Sequence, residues 1–332
     1  MGVFVFLPLV LPLTALPIAR LAEHHLHPRN AAVLLTSVAV VLAACSTFCL
    51  GLLVVVGTAQ LPGNPLPDSW SDPEVRAAVP YDEIAGKAAI VALGLVVVAC
   101  ALTVRRHLRF RFRAHRALAG LRSDAGSGPD AGSGSGSGSG SRPGSGSEVA
   151  VLDDEQPYAY ALPGSPGRIV VSTGMLSCLD AAERRALLAH ERAHLAGRHH
   201  RLLLAVQLAG CANPFLRPLR AAVTYSTERW ADEEAARVTG DRRITARAVG
   251  KAALFSRRVA TPGLAAFASA GPVPRRVAAL LGPVPPRRSW PPALTRAGMA
   301  ACVAAAGTAA STLSALNSAL ALFVVLEAAT PL

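Results

Sequence analysis

Residues 180–197 read Asp-Ala-Ala-Glu-Arg-Arg-Ala-Leu-Leu-Ala-His-Glu-Arg-Ala-His-Leu-Ala-Gly, and this stretch predicts a helix. Asp180 and Glu183 have the spacing of a capping box, which indicates that the helix begins near Ala181. Gly197 offers a place for it to end. The pattern is local and needs no knowledge of the rest of the chain.

The pentad His-Glu-Arg-Ala-His at 190–194 has the spacing of a zinc site. On a helix, His190 and His194 project from the same face and can bind one zinc ion. Glu191 then lies beside the open coordination position, where it can take a proton from the attacking water. The pentad therefore predicts one zinc ion per chain and the chemistry of a metal-dependent peptidase, with Glu191 as the general base.

A second predicted helix, which opens at Tyr225 and is closed by Gly240, offers the third ligand. Glu228 and Asp232 lie four residues apart and so share one face of this helix. The Glu228 carboxylate would complete a site of two histidines and one glutamate, with a fourth position left for water. Asp232 can accept a hydrogen bond from a ligating imidazole and fix its tautomer.

A longer motif competes for the third ligand. Residues 190–200 also match H-E-x-x-H-x-x-G-x-x-H, in which the third ligand is a histidine. That class has a methionine turn beneath the metal, but no methionine follows His200 until Met299, in an apolar segment. We therefore interpret residues 198–200 as the polar end of the helix and keep Glu228 as the third ligand.

Long apolar runs predict a membrane protein. Hydrophobic residues make up 52% of the chain, and the runs at 31–57 and 88–104 are long enough to cross a hydrocarbon core of about 30 Å. Residues 297–326 are rich in small side chains, which suit close packing of membrane helices. Residues 2–19 form a shorter apolar stretch. Its first charge, Arg20, follows the apolar part rather than preceding it, so we interpret the stretch as a first span rather than a signal peptide.

Basic residues predict the orientation of these spans. All but four of the 33 Lys and Arg residues lie in 105–296, whereas the loop at 58–86 is mainly acidic. By the positive-inside rule, 105–296 is cytoplasmic, 58–86 is external, and both termini are external. The run of arginines at 105–116 directly follows a span, which favours contact with lipid headgroups. The formal charge of +12 is therefore mainly a topology signal, and we predict no direct contact with nucleic acid.

Composition divides the chain into four predicted segments. Residues 1–118 hold three spans and the basic segment, and the Gly/Ser-rich residues 119–147 form a flexible linker. A zinc peptidase domain occupies 148–293, and a fourth span lies in 294–332. The predicted fold class is a mainly α membrane protein with four transmembrane helices and an α+β domain between the third and fourth spans.

Three short strands are predicted at the start of this domain, at 148–153, 158–162 and 169–172. In metallopeptidases, an edge strand near the active helix can pair with an extended substrate backbone. Tyr158, Ala159 and Tyr160 are the candidates for this contact. An ordinary strand of the sheet is the alternative interpretation.

Three stretches closely resemble the integral-membrane metallopeptidases typified by the BlaR antirepressors. They are Arg-Ile-Val-Val-Ser-Thr-Gly-Met-Leu at 168–176, Leu-Leu-Ala-His-Glu-Arg-Ala-His at 187–194, and Thr-Glu-Arg-Trp-Ala-Asp-Glu-Glu-Ala-Ala at 227–236. The resemblance covers about residues 148–280 and implies a gluzincin-like domain. Carried over by position, it makes zinc ligands of His190, His194 and Glu228, a general base of Glu191 and a supporting carboxylate of Asp232.

The related HtpX-type proteases share these motifs but place a pair of spans between the second histidine and the glutamate. The 33 residues between His194 and Glu228 are too few for two full spans. The group that stabilises the tetrahedral oxyanion stays open, with Tyr225, Arg237 and the arginines near Arg242 as candidates.

The sequence thus predicts a multi-pass zinc endopeptidase of a bacterial plasma membrane, with its active site in the cytoplasm. By resemblance, its substrate would be a cytoplasmic regulator such as a winged-helix repressor, or the chain itself. One alternative is a non-catalytic signalling or scaffold protein that retains a structural zinc fold, and another is an HtpX-like quality-control protease. The intact Glu191 argues against the scaffold, which needs no general base.

Overall fold

The computed structural model describes residues 5–59, 82–126, 148–256, 273–285 and 294–328. In chain order the helices are α1 (Leu7–Val10), α2 (Ala15–His25), α3 (Pro28–Ala59), α4 (Asp82–Gly126), α5 (Thr173–Ser177), α6 (Ala181–Ala196), α7 (His199–Ala212), α8 (Arg217–Thr239), α9 (Arg242–Ser256), α10 (Val273–Leu281) and α11 (Arg296–Ala328). The strands are β1 (Val149–Leu152), β2 (Ala159–Leu162) and β3 (Arg168–Ser172).

The chain divides into two compact units. The first comprises Met1–Thr103, Arg201–Ser226 and Pro285–Leu332, and the second comprises Val104–His200 and Thr227–Val284. Helices α4, α7 and α8 each contribute residues to both units.

Three helices within the described residues are long and apolar enough to cross a membrane. These candidate spans run over Pro28–Thr58, Ile84–Arg116 and Ala301–Ala328. They correspond to three of the four predicted spans, those at 31–57, 88–104 and 297–326.

The first apolar stretch is a broken helix. A 3-10 turn over Leu11–Thr14 separates α1 from α2. Pro12 has no N–H to offer the carbonyl of Pro8, and the Ser46 hydroxyl donates to that carbonyl instead at 2.7 Å. The stretch is shorter than the other three apolar helices, so its crossing of the membrane stays a prediction.

Helices α3 and α4 approach each other closely at two glycines. A Cβ added at Gly57 would lie 2.6 Å from the Cα atom of Gly86. Only a residue without a side chain permits the two backbones to come so close, as is common where membrane helices pack.

Residues 201–226 group with the apolar helices and not with the predicted peptidase domain at 148–293. They form a hairpin in which a 3-10 turn joins the end of α7 to the start of α8. Val206 and Leu219, one on each arm, are fully buried in the same apolar cluster as Leu35 of α3. The apolar run in α7 is too short to span a membrane, so the sequence alone did not distinguish it from a helix of the peptidase domain.

Hydrogen bonds connect the turn of this hairpin to the region around the break in the first apolar stretch. The Asn213 side-chain amide donates to the Leu9 carbonyl at 3.1 Å and to the Ser46 hydroxyl at 3.0 Å. Non-helical backbone in apolar surroundings is tolerated where such partners satisfy its polar groups.

A three-stranded sheet opens the second unit, in the order β1-β3-β2. Strand β1 is parallel to β3, whereas β2 is antiparallel to it. The sheet confirms the three predicted strands and makes β2 an edge strand among the described residues. One face of the sheet buries Leu162 and Val170 together with Ala114 from the end of α4.

Helix α4 continues past the basic run to Gly126, into the predicted linker at 119–147. The basic segment therefore continues the helix of the preceding span without a break. Residues 127–147 lie outside the described residues.

The helix predicted near Ala181 is α6, and both halves of its capping box are present. The Asp180 carboxylate accepts from the Glu183 N–H at 2.8 Å, and the Glu183 carboxylate accepts from the Asp180 N–H at 3.0 Å. Gly197 follows its last residue, as predicted.

The helix predicted from Tyr225 is α8, which begins earlier, at Arg217. Gly240 ends it with a φ of 71°, a conformation that costs glycine little.

Candidate metal centre

The second unit brings together the three side chains predicted to bind zinc. His190 and His194 lie on successive turns of α6, and Glu228 lies on α8. One ligand atom from each residue falls within 4.8 Å of the other two. Their role as metal ligands stays a prediction, but the structure places them as that prediction requires.

The spacing of these atoms fits a zinc ion. His190 Nε2 lies 3.1 Å from His194 Nε2, and the Glu228 carboxylate oxygens lie 3.5 Å from the first nitrogen and 3.6 Å from the second. Zinc–ligand bonds of about 2.0–2.1 Å at tetrahedral angles place ligand atoms about 3.3 Å apart. Two imidazoles and one carboxylate also form the donor set of a catalytic zinc site.

Asp232 lies next to His190, where its predicted supporting role requires it, and the role itself stays a prediction. His190 Nδ1 lies 3.1 Å from Asp232 Oδ1, and the Asp232 side chain is fully buried. This contact leaves His190 Nε2 facing the other two ligand atoms. A carboxylate behind a ligating imidazole fixes its tautomer and raises its basicity.

His199 contacts the second histidine, which the sequence analysis did not anticipate. Its Nδ1 lies 2.8 Å from His194 Nδ1, and its ring packs against Trp230 with the centroids 4.4 Å apart. The interpretation of 198–200 as a polar helix end is therefore wrong for His199, which is 1% exposed. Its spacing of five residues from His194 gave no signal, because a regular helix would place the two rings on different faces.

Arg276, on α10, is the other residue that sequence reasoning missed. Its guanidinium makes two hydrogen bonds to the Asp232 carboxylate, at 2.6 and 2.8 Å, and lies 2.9 Å from Glu228 Oε2. It is one of many arginines and belongs to no motif. Only the fold singles it out.

Burial and charge together set the protonation of the two carboxylates. Burial alone would raise the pKa of Glu228, but the charges of Arg276 and His194 hold it well below its ordinary value. The pKa of Asp232 is likewise lowered, because Arg276 outweighs the effect of burial. Both groups are therefore anionic, as a metal ligand and its support must be.

The pKa values of the two imidazoles shift in opposite directions. Burial would lower the pKa of His190, but the carboxylates of Asp232 and Glu228 outweigh it and raise the pKa to about 10. Burial lowers the pKa of His194 to about 4, although Glu228 acts in the other direction. The anionic charge of the site is therefore concentrated around His190.

Glu191 is buried next to the cluster. Burial raises its pKa to about 6, and a hydrogen bond from the Ala161 backbone N–H acts in the opposite direction. A carboxylate with a pKa just below neutrality is suited to accept a proton from water. The sequence predicted this role, and the structure places the group beside the candidate ligands.

The predicted substrate strand lies at the edge of the sheet. Ala159 and Tyr160 belong to β2 and pair with Val171 and Val170 of β3, while Tyr158 directly precedes the strand. Among the described residues, no strand pairs with the other edge of β2. The contact with substrate stays a prediction.

Two of the arginines considered for the oxyanion, Arg237 and Arg242, contact other groups. Arg237 pairs with Glu234 on the exposed side of α8. Arg242 pairs with Glu233 and also donates to the carbonyls of α10. Tyr225 belongs to the first unit.

A family model described as Peptidase family M48 matches residues 138–221. This match supports a metallopeptidase. The matched stretch is about a quarter of the chain and contains His190, Glu191 and His194, whereas Glu228 follows it. Peptidases of this family are generally zinc-dependent. The match does not distinguish BlaR-type from HtpX-type proteins, and no curated protein or solved structure matches the chain.

Proposed function

We propose that this chain is a membrane-anchored zinc endopeptidase whose active site faces the cytoplasm. The observation that carries the proposal is the spacing of the ligand atoms: the two Nε2 atoms of His190 and His194 lie 3.1 Å apart, and Glu228 Oε2 and Oε1 lie 3.5 and 3.6 Å from them, respectively. This is the separation of ligand atoms around a tetrahedral zinc ion. Glu191, the one carboxylate with a raised pKa in the cluster, lies beside it.

His190, His194 and Glu228 hold the metal in this proposal. The zinc ion would supply Lewis-acid chemistry, lowering the pKa of a water molecule and polarising the scissile carbonyl. Glu191 accepts a proton from the attacking water and later donates it to the leaving amine. The Ala161 N–H, which lowers the pKa of Glu191, would help to hold this carboxylate in place.

The substrate backbone adds to the free edge of β2. An extended peptide there would exchange main-chain hydrogen bonds with Ala159 and donate to the Ala161 carbonyl, the mode by which sheet edges commonly bind peptides. Because the Ala161 N–H also contacts Glu191, this edge would bring a peptide close to the general base. Tyr158 and Tyr160 would then contact its side chains.

The proposed substrate is a cytoplasmic regulator such as a winged-helix repressor, or the chain itself. The excess of arginine in 105–296 supports a cytoplasmic active site, and the resemblance to BlaR-type proteins supports a regulatory substrate. An HtpX-like quality-control protease is the second candidate. The hairpin at 201–226 favours it, because the hairpin joins the apolar helices at the point in the chain where HtpX-type proteins carry a pair of spans.

Metal analysis of the full-length protein in detergent tests the ligand set. We expect about one zinc ion per chain, and we expect His190→Ala, His194→Ala and Glu228→Ala each to release it. His200→Ala is the matched control and should retain zinc. Zinc loss from His200→Ala together with retention in Glu228→Ala would overturn the ligand assignment.

Glu191→Gln separates an enzyme from a scaffold. The variant leaves all three ligands in place and removes only the general base, so its zinc content should equal that of wild type. Cleavage of the chain itself and of a fluorogenic casein should both disappear. Cleavage of casein by the wild type would favour the quality-control candidate over the regulatory one, whereas equal cleavage by variant and wild type would exclude Glu191 as the base.

A further inference from the structure

The two candidate ligand histidines are supported by different groups. His190 Nδ1 faces the carboxylate of Asp232 at 3.1 Å. His194 Nδ1 instead faces His199 Nδ1 at 2.8 Å, within hydrogen-bond range for two nitrogens. A metal site of this kind normally supports each imidazole through its second nitrogen, so His199 occupies the place that Asp232 occupies on the other side.

The donor and the acceptor in this hydrogen bond follow from the requirement that His194 Nε2 be unprotonated to bind zinc. A neutral imidazole carries one proton, and the nitrogen that binds a metal must be free of it. Because His194 Nε2 faces the other ligand atoms, its proton resides on Nδ1 and donates to His199 Nδ1. His199 accepts and keeps its own proton on Nε2, which has no hydrogen-bond partner among the described residues.

The backbone between the two histidines is shaped to bring the rings together. Arg198 adopts a φ of 50°, in the left-handed region that residues with a side chain rarely occupy. This turn folds His199 back over the end of α6, so that a Cβ added at Gly197 would lie 2.6 Å from His199 Cδ2. Glycine at 197 therefore makes room for the His199 ring, and Trp230 packs against the same ring.

We propose that His199 is a positioning residue that fixes the tautomer and orientation of His194 for binding zinc. This inference rests on the zinc site of the proposed function. Without an acceptor at this point, the His194 Nδ1–H would be buried without a partner, and the ring would be free to turn. Loss of such a supporting group typically weakens metal binding about 10–100-fold.

The test is the zinc affinity of full-length variants in detergent, measured by competition with a chromophoric chelator. His199→Phe keeps an aromatic ring against Trp230 but removes the acceptor, and should weaken zinc binding about 10–100-fold. His199→Asn places a carbonyl oxygen where Nδ1 stands, and should restore the affinity to within about threefold of wild type. His200→Asn is the matched control and should bind as wild type does.

Two further variants keep the test decisive if His199→Phe does not fold. His199→Gln moves the carbonyl one bond farther out, so it should bind zinc more weakly than His199→Asn. Gly197→Ala displaces the ring while His199 is present, and should reproduce the loss. Equal affinities for the Asn and Gln variants, or wild-type affinity in His199→Phe, would overturn the positioning role. If His190→Ala and Glu228→Ala still abolish binding in that case, the proposed function stands. A wild-type chain that binds no zinc would overturn both.

Discussion

Arg276 holds two carboxylates of the candidate site at the same time. Its side chain is 6% exposed, and those of Asp232 and Glu228 are 0% and 13% exposed. Buried carboxylates at such close range would repel one another without a cation between them. The guanidinium fork binds the first carboxylate with two hydrogen bonds and contacts the second, which a lysine could not do with the same geometry.

Replacement of Arg276 should therefore destabilise the fold. Arg276→Met removes the guanidinium from the buried Asp232 carboxylate and leaves it only the His190 ring, and breaking such a buried ion pair typically costs about 3–5 kcal/mol. Arg276→Lys should recover part of this loss. The free energy of unfolding of the zinc-free protein in denaturant measures the effect.

Arg275→Met provides the control on the same helix, because Arg275 is exposed. It should change the free energy of unfolding by less than about 0.5 kcal/mol. An equally small loss in Arg276→Met would show that the buried ion pair contributes little to stability.

The elements of the chain owe their stability to different interactions. Helix α6 begins at a capping box formed within four residues and is fixed by apolar side chains such as Ala186 and Ala193. Helices α3 and α4 instead meet through backbone contact at Gly57 and Gly86. Between membrane helices the hydrophobic effect contributes little, so close packing of this kind must replace it.

Gly57→Ala should weaken the contact between α3 and α4. The added methyl group would lie within 2.6 Å of Gly86, so the helices must separate, and overpacking typically costs about 1–3 kcal/mol. The midpoint of thermal unfolding in detergent should fall accordingly.

Gly51→Ala lies on the same helix, where an added Cβ would meet no described atom within 4 Å apart from the backbone of its own helix. It should leave the midpoint unchanged or raise it slightly, since alanine favours helix more than glycine does. If both variants had the same midpoint, close approach at Gly57 would not stabilise the pair.

For the molecule as a whole, the distribution of charge predicts on which side of the membrane each connecting segment lies. Reporter fusions at Ser135 and within 58–86 should indicate opposite sides, cytoplasmic for the first and external for the second. A reporter at Gly2 then tests the broken first stretch. An external signal there is expected if this stretch crosses the membrane, and a cytoplasmic signal if it enters and returns.

A periplasmic signal from the Ser135 fusion would indicate that the active site lies on the external side of the membrane. It would exclude a cytoplasmic repressor as the substrate, and a protease of envelope proteins would become the leading candidate. The zinc site itself would be unaffected by that result.

The sequence by itself determined the features that depend on neighbouring residues. Capping at Asp180, the i and i+4 placement of His190 with His194, and that of Glu228 with Asp232 all follow from helix geometry over one or two turns. The three long apolar helices follow from length and composition alone. These are short-range properties, so they can be predicted without knowledge of the rest of the chain.

Only the tertiary structure decided which distant groups complete the site. Arg276 lies 44 residues from Asp232 along the chain, and no local pattern distinguishes it from the other arginines. His199 reaches His194 because Arg198 leaves the helical conformation, which a helical pattern does not predict. The hydrogen bonds from Ser46 and Asn213 to the broken first stretch were equally unpredictable. Each side chain donates to a backbone carbonyl that lies far away in sequence. Partners of this kind are chosen by packing, and packing is defined only once the whole chain has folded.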